Sequence, residues 1–478
     1  MSVPRPYRGR EGPAMKRSGS IRHQPLLQRA VALVSVGVVV ALVGSGCTGS
    51  GKPETSERGS GCVKKVGEDG ETLDGCLPIA PSSKRVDLGT PTFSKPTEVT
   101  NPLHPTGTVT QTIYGGQVDG KPFRTEVTVL REPKTITWQG NRIAALTSQY
   151  FAFSDGRIVE VALDWYAQAD DGSVWYLGED VFNYEDGVVQ DTEGTWIAGD
   201  KAPAAMIMPE HPKQGDVYRP ENAPPLVFEE VTVASTGETV SGPSGPIKGA
   251  IVVDELHLDG SHERKTFAPG YGEFATGDPD GDLEAVSLAL PTDAASAPVP
   301  EELDTLAETI RRTADAVSAR DWAEATTAAK AVNLAWAEFQ PSDVPLELLR
   351  KQMGRDIDAL ADAVAKRDAD QARNAALRVA QNELDVRSRH QPVTTTDLAR
   401  MGLWARQVVI DAVARDAGAV AGDAESLKWT FDRVRDTVSD ADAVDARLAE
   451  LRTAVENKDL AAAATVAKRL SDLLSQTG

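Results

Sequence analysis

The spacing of apolar and polar positions along this 478-residue chain changes character at about residue 296. Before it, from about residue 96 to 295, apolar residues alternate with polar ones in short runs. Thr125-Glu126-Val127-Thr128-Val129, Val159 to Trp165 and Val174-Trp175-Tyr176-Leu177 are the clearest. Alternation with period two marks strands whose two faces meet different surroundings. Between the runs stand Asp155-Gly156, Asp171-Gly172, Asp186-Gly187, Asp259-Gly260 and Asp280-Gly281, pairs that favour tight hairpin turns. Short strands joined by such turns predict an antiparallel β-rich domain, a sandwich or a partial barrel.

Over residues 296–478 the pattern becomes helical, rich in Ala, Leu, Asp, Arg and Glu. A repeat runs through it. Ala316-Val317-Ser318-Ala319-Arg320-Asp321 recurs as Ala363-Val364-Ala365-Lys366-Arg367-Asp368 and Ala454-Val455-Glu456-Asn457-Lys458-Asp459, with a shortened copy, Ala412-Val413-Ala414-Arg415-Asp416. The basic residue suits the negative end of one helix, and the aspartate caps the next. Asp321 with Glu324, and Asp368 with Gln371, have the spacing of capping boxes. The repeat predicts an all-α domain of about eight helices in antiparallel hairpins, stacked as a solenoid or closed as a bundle. Trp322, Trp336, Trp404 and Trp429 are its expected core anchors.

The first 95 residues fit neither pattern. Lys16, Arg17, Arg22 and Arg29 precede an uncharged apolar run, Ala30 to Val43, then small residues and Cys47. That layout resembles a bacterial lipoprotein signal, with Gly44 where a leucine is usual. It implies a signal peptide over 1–46, acylation (palmitate) of Cys47, and a lipid anchor on the outer face of the cell membrane. Residues 47–95, poor in large apolar side chains, read as a flexible tether. Cys62 and Cys76 form an even pair in an exported chain. A disulfide between them closes a loop of about 15 residues, worth roughly 3 kcal/mol in the chain-entropy picture.

The whole chain carries a formal charge of −21, and without the net +6 of residues 1–46 the remainder is near −27. Such a surface argues against nucleic acid as a partner and leaves an envelope protein or a glycan.

Candidate chemistry lies in two hairpins. A two-residue turn at Asp171-Gly172 sets Asp164 opposite Glu179, Tyr166 opposite Leu177 and Gln168 opposite Trp175. Asp164, Tyr166, Gln168, Trp175 and Glu179 then share one polar face, and Val159, Val161, Leu163, Trp165, Val174 and Tyr176 share the core face. Opposed carboxylates raise one another's pKa unless a cation or ligand lies between them, and acids beside aromatics suit a sugar or a metal. A similar turn at Asp259-Gly260 sets His257 opposite His262, a weak metal candidate short of a third ligand. No cofactor is indicated. The chain has no G-x-S-x-G, S-x-x-K, H-E-x-x-H or P-loop, and no catalytic residue is assigned.

Asn101-Pro102-Leu103-His104-Pro105, Asp164-Trp165-Tyr166-Ala167-Gln168, Val174-Trp175-Tyr176-Leu177-Gly178-Glu179, Trp196-Ile197-Ala198-Gly199 and Pro269-Gly270-Tyr271-Gly272 together resemble an uncharacterised family of secreted bacterial β-rich proteins. The likeness covers about residues 100–290 and implies export and a shared β fold, with no catalytic residues. In composition the helical half resembles actinobacterial lipoproteins. The resulting expectation is a cell-envelope lipoprotein with a non-enzymatic binding or interaction role. The alternatives are an envelope polysaccharide-active enzyme using Asp164 and Glu179, and a metal-binding lipoprotein.

Overall fold

The computed structural model describes residues 62–67, 70–200, 202–278, 281–339 and 346–477. The signal segment and Cys47 lie outside the described residues, as does Asp280 of the last Asp-Gly pair. Within them a large antiparallel β domain is followed by an all-helical domain, as the change of period implies.

A small hairpin comes first, β1 (Lys64–Val66) with β2 (Thr72–Cys76), and the Cys62–Cys76 disulfide ties its ends, with 5.3 Å between the Cα atoms. The main sheet comprises β3 (Gln111–Val118), β4 (Lys121–Val129), β5 (Lys134–Trp138), β6 (Asn141–Ser154), β7 (Arg157–Gln168), β8 (Val174–Glu185), β9 (Val188–Asp191), β10 (Trp196–Ile197), β11 (Ala205–Met208), β12 (Val217–Ala223), β13 (Val227–Gly242), β14 (Gly245–His257), β15 (His262–Ala268), β16 (Gly272–Gly277) and β17 (Leu283–Leu290). Its order is β10-β8-β7-β6-β4-β3-β17-β16-β15-β14-β13-β12. β11 pairs with β8 and packs against β12, so the two ends of the sheet meet and the strands curl into a barrel.

The Asp-Gly pairs resolve into two kinds of turn. At Asp155-Gly156 and Asp186-Gly187 both residues have positive φ, and the flanking residues pair directly, Ser154 with Arg157 and Glu185 with Val188. These are the expected two-residue loops. At Asp171-Gly172-Ser173 and Asp259-Gly260-Ser261 the aspartate carboxylate instead accepts from the serine backbone N–H, at 3.0 and 2.7 Å. That local bond makes three-residue loops, closed by Ala169 N–H to Ser173 O and His257 N–H to Ser261 O. The register of both hairpins therefore starts one residue away from the expectation.

Residues 77–95, expected as part of a flexible tether, lie along the barrel. Ala80 N–H donates to Glu230 Oε1 at 2.6 Å, Arg85 bridges to Val217, and Ser94 N–H donates to Asp170 Oδ1 at 2.7 Å. Leu77 is buried, and Ile79 and Phe93 pack against apolar clusters of the barrel, so hydrogen bonds and apolar contacts together hold this segment.

Eight helices occupy the C-terminal half: α1 (Glu301–Ser318), α2 (Trp322–Phe339), α3 (Glu347–Lys366), α4 (Ala369–Ser388), α5 (Val393–Ala414), α6 (Ala417–Val434), α7 (Ala441–Glu456) and α8 (Leu460–Thr477). The solenoid-or-bundle alternative resolves as two four-helix bundles in tandem, α1 to α4 and α5 to α8, each closing its ring through its first and last helix. Trp336, Trp404 and Trp429 are buried, and Trp322 packs at the edge of the first core.

Each repeat copy is a hairpin turn. Arg320, Arg367, Arg415 and Lys458 have φ of 56, 56, 62 and 56°, the left-handed conformation in which helices commonly stop. Asp321, Asp368, Asp416 and Asp459 then cap the next helix, each accepting from the N–H three residues on at 2.9–3.1 Å. The reciprocal half of the first capping box is absent: Asp321 N–H bonds back to Ala316 O, and Glu324 pairs with Arg312.

Both bundles sit on the outside of the barrel. Phe153 of β6 stacks on Trp404 with ring centroids 5.5 Å apart, and Ile113, Leu288 and Leu290 join the core of the first bundle. A buried ion network crosses the same interface. Arg124 of β4 forks onto Asp385 of α4, Arg400 of α5 reaches Asp385 and Asp397 at 2.8 and 2.6 Å, and Arg433 of α6 binds Glu126 of β4.

Removing the cap with Asp368→Ala is expected to lower stability by about 1 kcal/mol. Arg367→Gly, which relieves the left-handed strain, is expected to raise it by up to about 1 kcal/mol. Urea denaturation of the two variants checks both signs.

Candidate ligand-binding cavity

The barrel encloses a cavity of about 230 Å³. A cavity of about 150 Å³ is enough to hold benzene, so the space suits a solute on the order of ten non-hydrogen atoms. Its walls are inward-facing residues of nearly every strand of the main sheet, and one end is covered by the segment around His104.

Asp164 of β7 stands opposite Glu179 of β8, as the sequence pattern predicts, but by a different route. The three-residue loop shifts the register one way, giving Gln168 opposite Val174 and Tyr166 opposite Tyr176. A bulge between Asp164 and Tyr166 then shifts it back. Gly178 makes that bulge possible: its φ is +129°, and a Cβ there would lie 2.4 Å from the Trp196 carbonyl oxygen.

Two expected members of the site consequently fall outside it. Trp175 lies opposite Ala167 on the other face, buried in an apolar cluster, with its indole N–H donating to Ser173 Oγ at 2.8 Å. Gln168 accepts from Thr100 and Asn101 N–H at 2.7 and 2.9 Å, which fastens the end segment to the barrel. Tyr176, assigned to the core face, lines the cavity instead. It stacks on Tyr166 at 4.9 Å, and its hydroxyl donates to Asp164 Oδ1 at 2.8 Å. His104 meets Tyr166 edge-on at 4.5 Å.

Eight carboxyl groups line the cavity: Glu160, Asp164, Glu179, Glu221, Glu229, Glu255, Glu273 and Glu284. Among the described residues Lys265 is the one lysine or arginine lining the cavity, and it lies 2.7 Å from Glu255. For Glu160, Asp164, Glu179, Glu221, Glu229 and Glu284, burial is the main reason that ionisation is resisted. It pushes Glu160 and Glu284 up to about 8 and Asp164 up to about 7. Glu179 is raised well above the usual range by burial and then by Asp164, and Glu221 by burial and then by Glu179; the two share a hydrogen bond, and Trp196 N–H donates to Glu221 at 3.2 Å. Burial opposes the charge on Lys265, yet Glu255 and Glu273 hold it well above its usual value. Burial pulls His104 down to about 4, so it is neutral.

The second hairpin departs from expectation without a compensating bulge. His262 lies opposite Leu256 and is exposed, while His257 is buried on the other face, so the two histidines form no pair. His257 instead joins Glu229 and Glu255, with one ligand atom from each within 4.8 Å of the others. Its Nδ1 has no hydrogen-bond partner. The shift comes from Ser261, which follows Asp259-Gly260 and was the signal available in the sequence.

Comparison with known protein families, curated proteins and solved structures finds no match to this chain.

The acids imply an unusual pH dependence. Unfolded carboxyls titrate near 4, so between pH 6.5 and 8 the folded chain binds more protons than the unfolded one, and stability falls as pH rises. His104 and His257, depressed by burial, act in the opposite sense, and above pH 6.5 that contribution fades within about one pH unit. Urea denaturation is expected to show lower stability at pH 8.5 than at 6.5. Glu160→Gln, neutral at both values, is expected to reduce that difference; an unchanged difference would show that Glu160 ionises normally.

Proposed function

We propose that this protein is a cell-envelope lipoprotein that binds a small solute inside its barrel without transforming it. The observation that carries this reading is the cavity itself, a chamber with carboxyl groups set among apolar walls in an otherwise well-packed domain. Empty cavities in proteins are apolar, whereas polar ones hold water or ligand. Glu160 Oε2 and Tyr218 Oη have no hydrogen-bond partner in the protein, so bound molecules are left to supply them. Four of the five segments that resemble the secreted family also reach this one space, through His104, through Asp164 and Tyr166, through Tyr176 and Glu179, and through Tyr271 and Gly272. The fifth supplies Trp196, which bonds Glu221.

Export and the lipid anchor rest on the signal pattern ending at Cys47. Among the described residues no helix is long and apolar enough to cross a membrane, which is compatible with anchoring by lipid. The polysaccharide-enzyme alternative has Asp164 and Glu179 in its favour, side by side with raised pKa. Metal capture has Glu229, Glu255 and His257 in its favour, but the Lys265 ammonium already stands beside Glu255.

Two measurements test the reading. Cys47→Ser is expected to move the protein from the membrane fraction to the soluble exported fraction. Small molecules released by denaturing the natively purified protein are expected to include a species that is lost in Ala162→Phe, a variant that fills the cavity while a melting curve confirms folding. Equal release from both proteins would exclude the cavity as the binding site.

A further inference from the structure

Resting on the binding reading above, the nature of the solute follows from how this protein treats buried charge elsewhere. On the outer face of the barrel, the carboxylates of Glu126, Asp385 and Asp397 each meet arginine. Inside the helical half, Asp356 meets Arg378 and Asp411 meets Arg373. Burying a carboxylate without a cation is costly, and the chain provides a cation at these positions.

One wall of the cavity departs from that practice. Glu160 and Asp164 on β7 and Glu179 on β8 are buried and Glu221 on β12 is half-buried, and no lysine or arginine is among the main influences on any of them. Lys265 serves the opposite wall, beside Glu255. We propose that the wall of Glu160, Asp164, Glu179 and Glu221 is a binding site for a small organic cation, an aliphatic amine of about ten non-hydrogen atoms or fewer.

Three features select an amine over other solutes. An anion meets only acids and tyrosine hydroxyls on this wall. A bare metal ion needs several oxygens converging at roughly 2–2.6 Å. Among the described residues the one cluster of three metal-type ligands within 4.8 Å is Glu229, Glu255 and His257, which does not include this wall. An ammonium group, by contrast, carries several N–H donors that fit separated carboxylates, and Glu160 Oε2 is a buried acceptor with no partner. The adjoining Tyr166 and Tyr176 rings offer π faces to the methylene or methyl groups next to the charge. Without ligand the acids stay neutral by holding protons; an entering cation takes the place of protons, which leave for solvent.

The experiment is calorimetric titration of the detergent-purified full chain with putrescine, choline, glucose, succinate and zinc, in two buffers of different ionisation enthalpy at pH 6.5 and 8.5. Putrescine is expected to bind, to release protons at pH 6.5, and to bind at least threefold more tightly at pH 8.5; choline, which has no N–H to donate, is expected to bind more weakly. Asp164→Asn/Glu179→Gln, two nearly isosteric changes, is expected to weaken putrescine binding tenfold or more. Glucose binding that releases no protons and survives the double substitution would overturn the amine assignment while leaving the barrel a binding chamber. Zinc binding alone, abolished by His257→Gln, would also overturn it and move the site to the opposite wall. No binding by any probe, with no small molecule released from native protein, would defeat both the amine assignment and the binding function. Proton release is read on the wild-type chain, so a misfolded variant would not shield the proposal.

Discussion

The central strands of this barrel are buried on both faces, and the architecture depends on what that requires of alternate residues. On β4 and β6, Thr125, Val127, Ser148 and Tyr150 face inward, while Arg124, Glu126, Phe151 and Phe153 face the helices. Neither set meets open solvent, so each polar group needs a partner within the protein or within the cavity. The outer set is answered by the two helical bundles. The inner set is answered only in part, and this asymmetry distinguishes the cavity from a core.

The helical half therefore completes the barrel. Phe151 and Phe153 would be exposed without Trp404 and the second bundle, and Arg400 and Arg433 from that bundle join Arg124 in pairing the buried Glu126. A buried ion network is weak evidence for net stability, because desolvation offsets most of the attraction. Its geometry is specific, though, since a guanidinium fork accepts carboxylates in few orientations. Arg124, Arg400 and Arg433, drawn from three elements, fix how the bundles sit on the sheet. The outer wall of the cavity is held in place from behind.

Much of this was legible from residue order. The change from alternation to helical spacing marks the boundary between the domains, and the repeated basic-Asp step marks all four helical hairpins, because both features depend on local backbone chemistry. The basic residue was read as a charge at a helix end. Its left-handed conformation was not read, since arginine and lysine carry no signal for it as glycine does. In the β domain Asp164 and Glu179 were paired correctly although the turn was wrong by one residue; the bulge at Gly178 cancelled the error. The same misreading at Asp259-Gly260 had no such correction, and His257 and His262 were paired in error. The serine after each Asp-Gly was the discriminating residue, because its N–H gives the aspartate a closer partner than the two-residue turn offers.

The sequence by itself determined which residues belong to which face of each strand over short stretches, because the period of the pleat is a covalent property. It could not determine which face is the inside. Apolar Val161 and Phe153 were natural candidates for the interior, and acidic Glu160 and Asp164 for a solvated surface. The tertiary structure buried both faces: Val161 and Phe153 lie in the core shared with the helices, and Glu160 and Asp164 line the cavity. The helical domain supplies an apolar covering from outside, and closure of the sheet brings acids from distant strands into one chamber. Contacts between residues separated by tens to hundreds of positions made that decision, and no local pattern encodes them.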